Sequence, residues 1–111
     1  MEATLTPEIK TLITSQLASS PVVLYMKGTA DQPMCGFSAR AVAILNKLEV
    51  PFADFNILED EDLRQGLKEF GQWPTFPQLY VNGTLIGGAD IMLEMYDSGE
   101  LATLLSPLAA A

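Results

Sequence analysis

Between Pro21 and Ile57 the chain carries the pattern that most limits its fold. Pro21-Val22-Val23-Leu24-Tyr25-Met26 is an uncharged run of strand length. A run without polar alternation reads as a strand covered on both faces. The next apolar residues, Val42, Leu45 and Leu48, fall at helical spacing and predict a helix over 36–48, closed by Pro51. Phe52-Ala53-Asp54-Phe55-Asn56-Ile57 then alternates apolar and polar, as a strand with one covered face does. Strand, helix, strand over so short a span is a βαβ unit, which requires parallel strands and a right-handed crossover.

Within that unit, Lys27-Gly28-Thr29-Ala30-Asp31-Gln32-Pro33-Met34-Cys35-Gly36-Phe37-Ser38 joins the first strand to the helix. Cys35, the only cysteine, therefore stands where a strand hands over to a helix. A helix start presents unpaired N–H groups and the positive end of the helix dipole. A thiol there favours its thiolate, and Lys27 at the strand's end adds a positive charge. A lone cysteine also reads as a small buried hydrophobe. Its place after a loop containing Gly and Pro favours the reactive reading.

The flanking segments complete an α/β pattern. Thr6-Pro7-Glu8 is a helix start, with a Thr cap, Pro at the first position and an acid near the dipole. Ile9, Leu12, Ile13 and Leu17 share a face, and the helix should stop near Ser19-Ser20, before Pro21. Glu59-Asp60-Glu61-Asp62 precedes Leu63, Leu67 and Phe70 on one helix face. Acids there complement the dipole, so the run reads as a solvated cap rather than a metal site. Arg64 and Lys68 project from that helix on one side, and Gly71 is its expected stop. Trp73-Pro74-Thr75-Phe76-Pro77-Gln78 leads into Leu79-Tyr80-Val81, Asn82-Gly83 and Thr84-Leu85-Ile86, an antiparallel hairpin. Gly87-Gly88-Ala89-Asp90 follows. The paired glycines allow either a close approach of another group to the backbone or a tight strand-to-helix turn. Asp90 is expected to cap a helix running to about Tyr96 and ended by Ser98-Gly99, with a short helix over 100–105 after it. Residues 1–5 and 106–111 are expected to fray.

The sum is a single α/β domain, 1–111, with a mixed four-stranded sheet and helices on both faces. Ligands of such sheets gather beyond the carboxyl ends of the strands, where Cys35 lies.

Composition narrows the chemistry. A chain of 111 residues with one cysteine has no internal disulfide, which favours a reducing, cytoplasmic setting. With no histidine, imidazole metal ligands and His-assisted catalysis are both excluded. A net charge of −8 argues against a nucleic-acid partner. No apolar run reaches the length of a membrane span, and no membrane partner is expected.

Lys27-Gly28-Thr29, Pro33, Cys35-Gly36-Phe37-Ser38, Trp73-Pro74-Thr75-Phe76-Pro77-Gln78 and Gly87-Gly88-Ala89-Asp90, in that order and at matching separations, resemble the monothiol, CGFS-type glutaredoxins. The resemblance covers about residues 6 to 105. It implies a thioredoxin-like fold that binds glutathione beside the cysteine. By the same resemblance, Lys27 and Arg64 pair with the glycine carboxylate of glutathione. Phe76, before a proline that is cis in this fold, meets the cysteinyl part through its backbone. Ala89 and Asp90 meet the γ-glutamyl end. The sequence alone does not give the isomer at Pro77. Some relatives carry a second cysteine where this chain has Ala89, so any disulfide involving that position is absent.

Ser38 occupies the place of the second thiol of a Cys-X-X-Cys pair, and a hydroxyl cannot resolve a disulfide. A dithiol cycle is excluded. The resemblance points instead to a [2Fe–2S] cluster, which in most cases takes four thiolates. Two chains supply Cys35 twice and two glutathiones supply the rest, which requires a homodimer. BolA-like proteins and apo iron–sulfur proteins are the partners implied. The alternatives are a glutathione-dependent monothiol oxidoreductase that removes glutathione from substrates, and an interaction domain with an inert cysteine.

Overall fold

A computed structural model describes residues 5–108. In chain order the elements are α1 (Pro7–Ala18), β1 (Val22–Met26), α2 (Gly36–Lys47), β2 (Ala53–Asn56), a 3-10 turn (Ile57–Glu59), α3 (Glu61–Gly71), β3 (Gln78–Val81), β4 (Thr84–Gly87), α4 (Ala89–Ser98), α5 (Glu100–Leu105) and a second 3-10 turn (Ser106–Leu108). The sheet order is β2-β1-β3-β4. β1 and β2 are parallel, with Val23 opposite Ala53 and Met26 opposite Asn56. β1–β3 and β3–β4 are antiparallel. The mixed four-stranded sheet follows the sequence pattern.

β1 is central because no residue in it tolerates water. Every one of its five residues is at most 1% exposed. Alternation divides them between two cores. Val22, Leu24 and Met26 pack with Val42, Leu45, Leu79, Met92 and Leu101, beneath α2, α4 and α5. Val23 and Tyr25 pack with Ile13, Leu63, Leu67 and Tyr80, beneath α1 and α3.

Helix ends follow the local chemistry, with two corrections. Thr6 Oγ1 accepts the Ile9 N–H and Pro7 takes the first helical position. In the acid run, Asp60 caps α3 by accepting the Leu63 N–H at 3.0 Å, and Glu61 and Asp62 fill its first turn. Gly71 is not the stop. It is the last helical residue, and Gln72 takes the left-handed position at φ 51°. Asp90 is not the cap of α4. Gly88 is, so the helix starts two residues earlier and Asp90 falls in its first turn. There the carboxylate still faces the positive dipole end. Asn82 and Gly83 both have positive φ, 50° and 81°, as a tight hairpin turn requires.

Where the sequence suggests fraying at 1–5 and 106–111, the Leu5 N–H donates to Glu69 Oε2 at 2.8 Å and Ser106–Leu108 forms its turn. The rest of both segments lies outside the described residues.

The polar positions of β2 have a use beyond solvation. Asp54 and Asn56, two residues apart, point to one side of the sheet. Asn56 Oδ1 accepts the N–H of Gly28 and of Leu58, both at 3.0 Å. Asp54 Oδ2 accepts the Ala30 N–H at 2.8 Å. The loop before Cys35 is thereby strapped to an edge strand. Within the loop the Met34 N–H returns to Lys27 O at 2.9 Å. Gly28 sits at φ +89°, and a Cβ there would lie 2.5 Å from Gln32 O, so only glycine fits. Replacing Asn56 by Ala removes both acceptor contacts, and the expected loss is about 1–2 kcal/mol of unfolding free energy. Asn56→Asp keeps the acceptors and should lose less; denaturant unfolding measures both.

Candidate functional site

β1 ends at Met26 and delivers Lys27, while the strapped loop delivers Cys35 to the start of α2. Cys35 is the N-cap residue of α2, extended at φ −154° and ψ 139°, with no side-chain capping hydrogen bond. It is a free, partly exposed thiol. Its surroundings favour the anion and hold the thiol below its ordinary value. The backbone N–H of Ser38 contributes most, opposed by partial desolvation. The Phe37 N–H, the charge of Lys27 and the Ser38 hydroxyl add to the lowering. Three of these four are helix-start donors, as the position of Cys35 predicts. Ser38 is fully buried, and its Oγ also accepts the Lys27 N–H at 3.1 Å. Its hydroxyl thus links the end of β1 to the thiol. Met34 and Phe37, on either side of Cys35, are 70% and 55% exposed.

The thiol opens into a cavity of about 440 Å³, within the size range of small-molecule sites. Lys27, Cys35, Arg64, Phe76, Ala89 and Asp90, all singled out from the sequence, line it together. Lys68, though i, i+4 to Arg64, is not among the lining residues. Arg64 makes one loose ion pair, Nη1 to Glu61 Oε2 at 3.4 Å, and its Nε is buried without a protein partner. Most of its donors are thus uncommitted among the described residues.

Trp73, Pro74, Thr75 and Phe37, which carry no individual role in the sequence pattern, also line the cavity. The two prolines bracketing Thr75-Phe76 were the signal: a segment barred from helix and strand interiors has to form a loop. The Phe76–Pro77 peptide is cis. The paired glycines serve the chain's own packing. A Cβ on Gly88 would lie 3.2 Å from Pro77 O and 3.3 Å from Trp73 Nε1, and one on Gly87 would strike Ile91 at 2.8 Å. Close approach and tight turn are therefore one feature, pressing the start of α4 onto the 73–77 loop.

A lone activated thiol at a helix start, beyond the carboxyl end of the central strand and facing a cis-proline loop, defines a thiol protein of thioredoxin-like fold. Comparison with known proteins narrows this. The glutaredoxin family profile matches residues 22–86. Monothiol glutaredoxin-S14 of Arabidopsis thaliana, a chloroplastic protein, is 59% identical over 97 residues, covering 87% of this chain and 56% of that one. This chain thus spans little more than half of that relative's length. Probable monothiol glutaredoxin 2 of Rickettsia typhi is 56% identical over 93 residues, 84% of each chain. Among solved structures, reduced poplar apo GrxS14 superposes with a TM-score of 0.83 at 53% identity, covering 96% of this chain and 97% of that one. The chain belongs to the glutaredoxin family, in its monothiol branch.

Because the anion is favoured, the alkylation rate of Cys35 should rise with pH through a midpoint below that of an ordinary thiol. Ser38→Ala removes one of the lesser donors and should move that midpoint upward, while the larger backbone contribution remains. Iodoacetamide kinetics across pH measure both. A thiol that reacts only after denaturant is added contradicts the activated-thiol reading.

Proposed function

We propose that this protein is a glutathione-binding monothiol glutaredoxin that holds a [2Fe–2S] cluster as cargo between two chains and passes it on. The observation that carries the reading is one activated thiol opening into a cleft that also contains two cations and an acid.

The residues present fit glutathione. Its glycine carboxylate falls to Lys27 and to Arg64, whose Nε is an orphaned buried donor. Charge-assisted pairs of this kind are among the stronger hydrogen bonds. The cysteinyl part meets the Phe76 backbone. The γ-glutamyl group, carrying one carboxylate and one ammonium, meets the first turn of α4 at Ala89 and the carboxylate of Asp90.

One chain does not satisfy a cluster. Among the described residues no group of three or more His, Cys, Asp or Glu is placed to hold a metal. The thiolate count closes with Cys35 from each of two chains and the sulfurs of two glutathiones. The cluster supplies the iron and sulfide delivered to apo iron–sulfur proteins. The chain's own residues keep Cys35 anionic, seat the glutathione and leave Met34 and Phe37 exposed for the partner copy. BolA-like proteins are further partners in this proposal, and a reducing compartment such as the cytoplasm keeps the single thiol available.

The activated thiol also favours a second reading, removal of glutathione from protein mixed disulfides. The Cys35 thiolate attacks the glutathione sulfur and the substrate leaves as its thiolate. A second glutathione thiolate then attacks the Cys35 mixed disulfide, releasing oxidised glutathione and regenerating the Cys35 thiolate.

Anaerobic addition of iron, sulfide and glutathione should produce visible absorbance in a species of two chains, two glutathiones and one cluster by size exclusion and iron assay. Cys35→Ser or omission of glutathione should abolish it. A cluster on a monomer, or one that survives Cys35→Ser, overturns the ligand count. Lys27→Ala and Arg64→Ala should each weaken glutathione binding by about 1.5–3 kcal/mol in calorimetry.

A further inference from the structure

Apart from tyrosines, the fully buried polar side chains among the described residues are Ser38 and Gln78. Ser38 serves the thiol. Gln78, the first residue of β3, is not among the residues lining the cleft, and a buried amide is costly unless both its ends are paired. Its Nε2 donates to the carbonyl oxygens of Trp73 at 3.0 Å and Thr75 at 3.3 Å. Its Oε1 accepts the Tyr80 hydroxyl at 3.1 Å. Turning the amide over would set Oε1 against two carbonyl oxygens, so Trp73 and Thr75 select the orientation, and the Tyr80 hydroxyl donates to the Oε1 that this orientation presents. Burial pushes the Tyr80 phenol up to about 12, which keeps its proton in place.

The pair reaches both walls of the cleft. Trp73 and Thr75 belong to the loop that lines one side, and α3, which carries Arg64, belongs to another. Gly71, at the end of α3, abuts the same hydroxyl: a Cβ there would lie 2.6 Å from Tyr80 Oη, 3.1 Å from Leu85 Cδ2 and 3.6 Å from Gln78 Oε1. Gly71 has no positive φ and is not the helix cap, so this clearance is what requires it. In the loop, Pro74 and Pro77 have no N–H, and the Trp73 N–H is committed to Lys68 O at 3.1 Å. The remaining backbone donors of the loop are those of Thr75 and Phe76.

We propose that Tyr80 and Gln78 are positioning residues for the cleft: their buried hydroxyl–amide pair sets the spacing between the 73–77 loop and α3, and so the fit of a tripeptide ligand between Phe76 and Arg64. This rests on the glutathione reading of the cleft. Neither residue is among those lining the cleft.

Tyr80→Phe tests it without emptying the core, because the ring keeps its contacts with Tyr25 and Phe70. In the ligand-free protein, amide exchange should accelerate and chemical shifts should move at Trp73, Thr75 and Phe76. Glutathione binding should weaken roughly threefold to tenfold, the scale of one lost hydrogen bond. The alkylation midpoint of Cys35 should stay put, whereas general loosening of the fold would shift it. Gly71→Ala alone should weaken binding too. Added to Tyr80→Phe it should cost less, because the nearest atom its Cβ meets is gone and the remaining tight neighbour, Leu85 Cδ2 at 3.1 Å, is the far end of a flexible side chain; this non-additivity reports the contact. Unchanged loop amides in Tyr80→Phe, or strictly additive effects of the two substitutions, overturn the proposal. If the loop responds but the wild-type protein fails to bind glutathione, the proposed ligand is wrong and the positioning role stands.

Discussion

Burial of β1 on both faces is the constraint from which the site follows. A strand with no water on either side needs helices above and below it and strands on both flanks. Those demands place β2 and β3 beside it and α2 and α3 on opposite faces. The chain leaves β1 at one end of a fully enclosed element, and its first residue outside is Lys27. Part of what acts on Cys35, beside the N–H groups of its own helix, is referred to that point. The Lys27 N–H is held by Ser38, Lys27 O is held by Met34, and the charge of Lys27 stabilises the thiolate.

Three polar devices convert this frame into a cleft, each buried or half-buried. Asp54 and Asn56 hold the loop before the thiol. Ser38 ties the thiol's own helix to the strand. Gln78 and Tyr80 hold the loop that faces it. Apolar packing is non-directional and tolerates small displacements, whereas hydrogen bonds fix donor and acceptor to a few tenths of an ångström. The division of labour is physical: the two cores make the domain stable, and a few oriented polar groups make the cavity a specific shape.

The charge distribution has the same logic. The chain carries fourteen acidic residues against six basic ones, yet two of those six line the cavity. In a molecule that repels anions on average, a local pair of cations beside helix-start N–H groups is where a small carboxylate ligand gains.

The order of elements, the doubly covered β1, the Asn-Gly hairpin and the reactive setting of Cys35 were all determined by the sequence, because each depends on near neighbours along the chain. Periodicity names a strand or helix, turn residues name a turn, and a cysteine at a strand-to-helix junction meets the helix dipole whatever the rest of the fold does. Local chemistry erred by one or two residues where tertiary contact had the final say. Gly71 looked like a stop but gives room to Tyr80, and Asp90 looked like a cap but yields that place to Gly88. Only the tertiary structure decided that Arg64 reaches the thiol's cleft and Lys68 does not, and that Gln78 turns inward to hold Trp73 and Thr75. Asp54 and Asn56, which alternation assigns to a polar strand face, turned out to strap the thiol loop. These outcomes join segments far apart in sequence, and their geometry is set by how the helices and loops pack on the sheet.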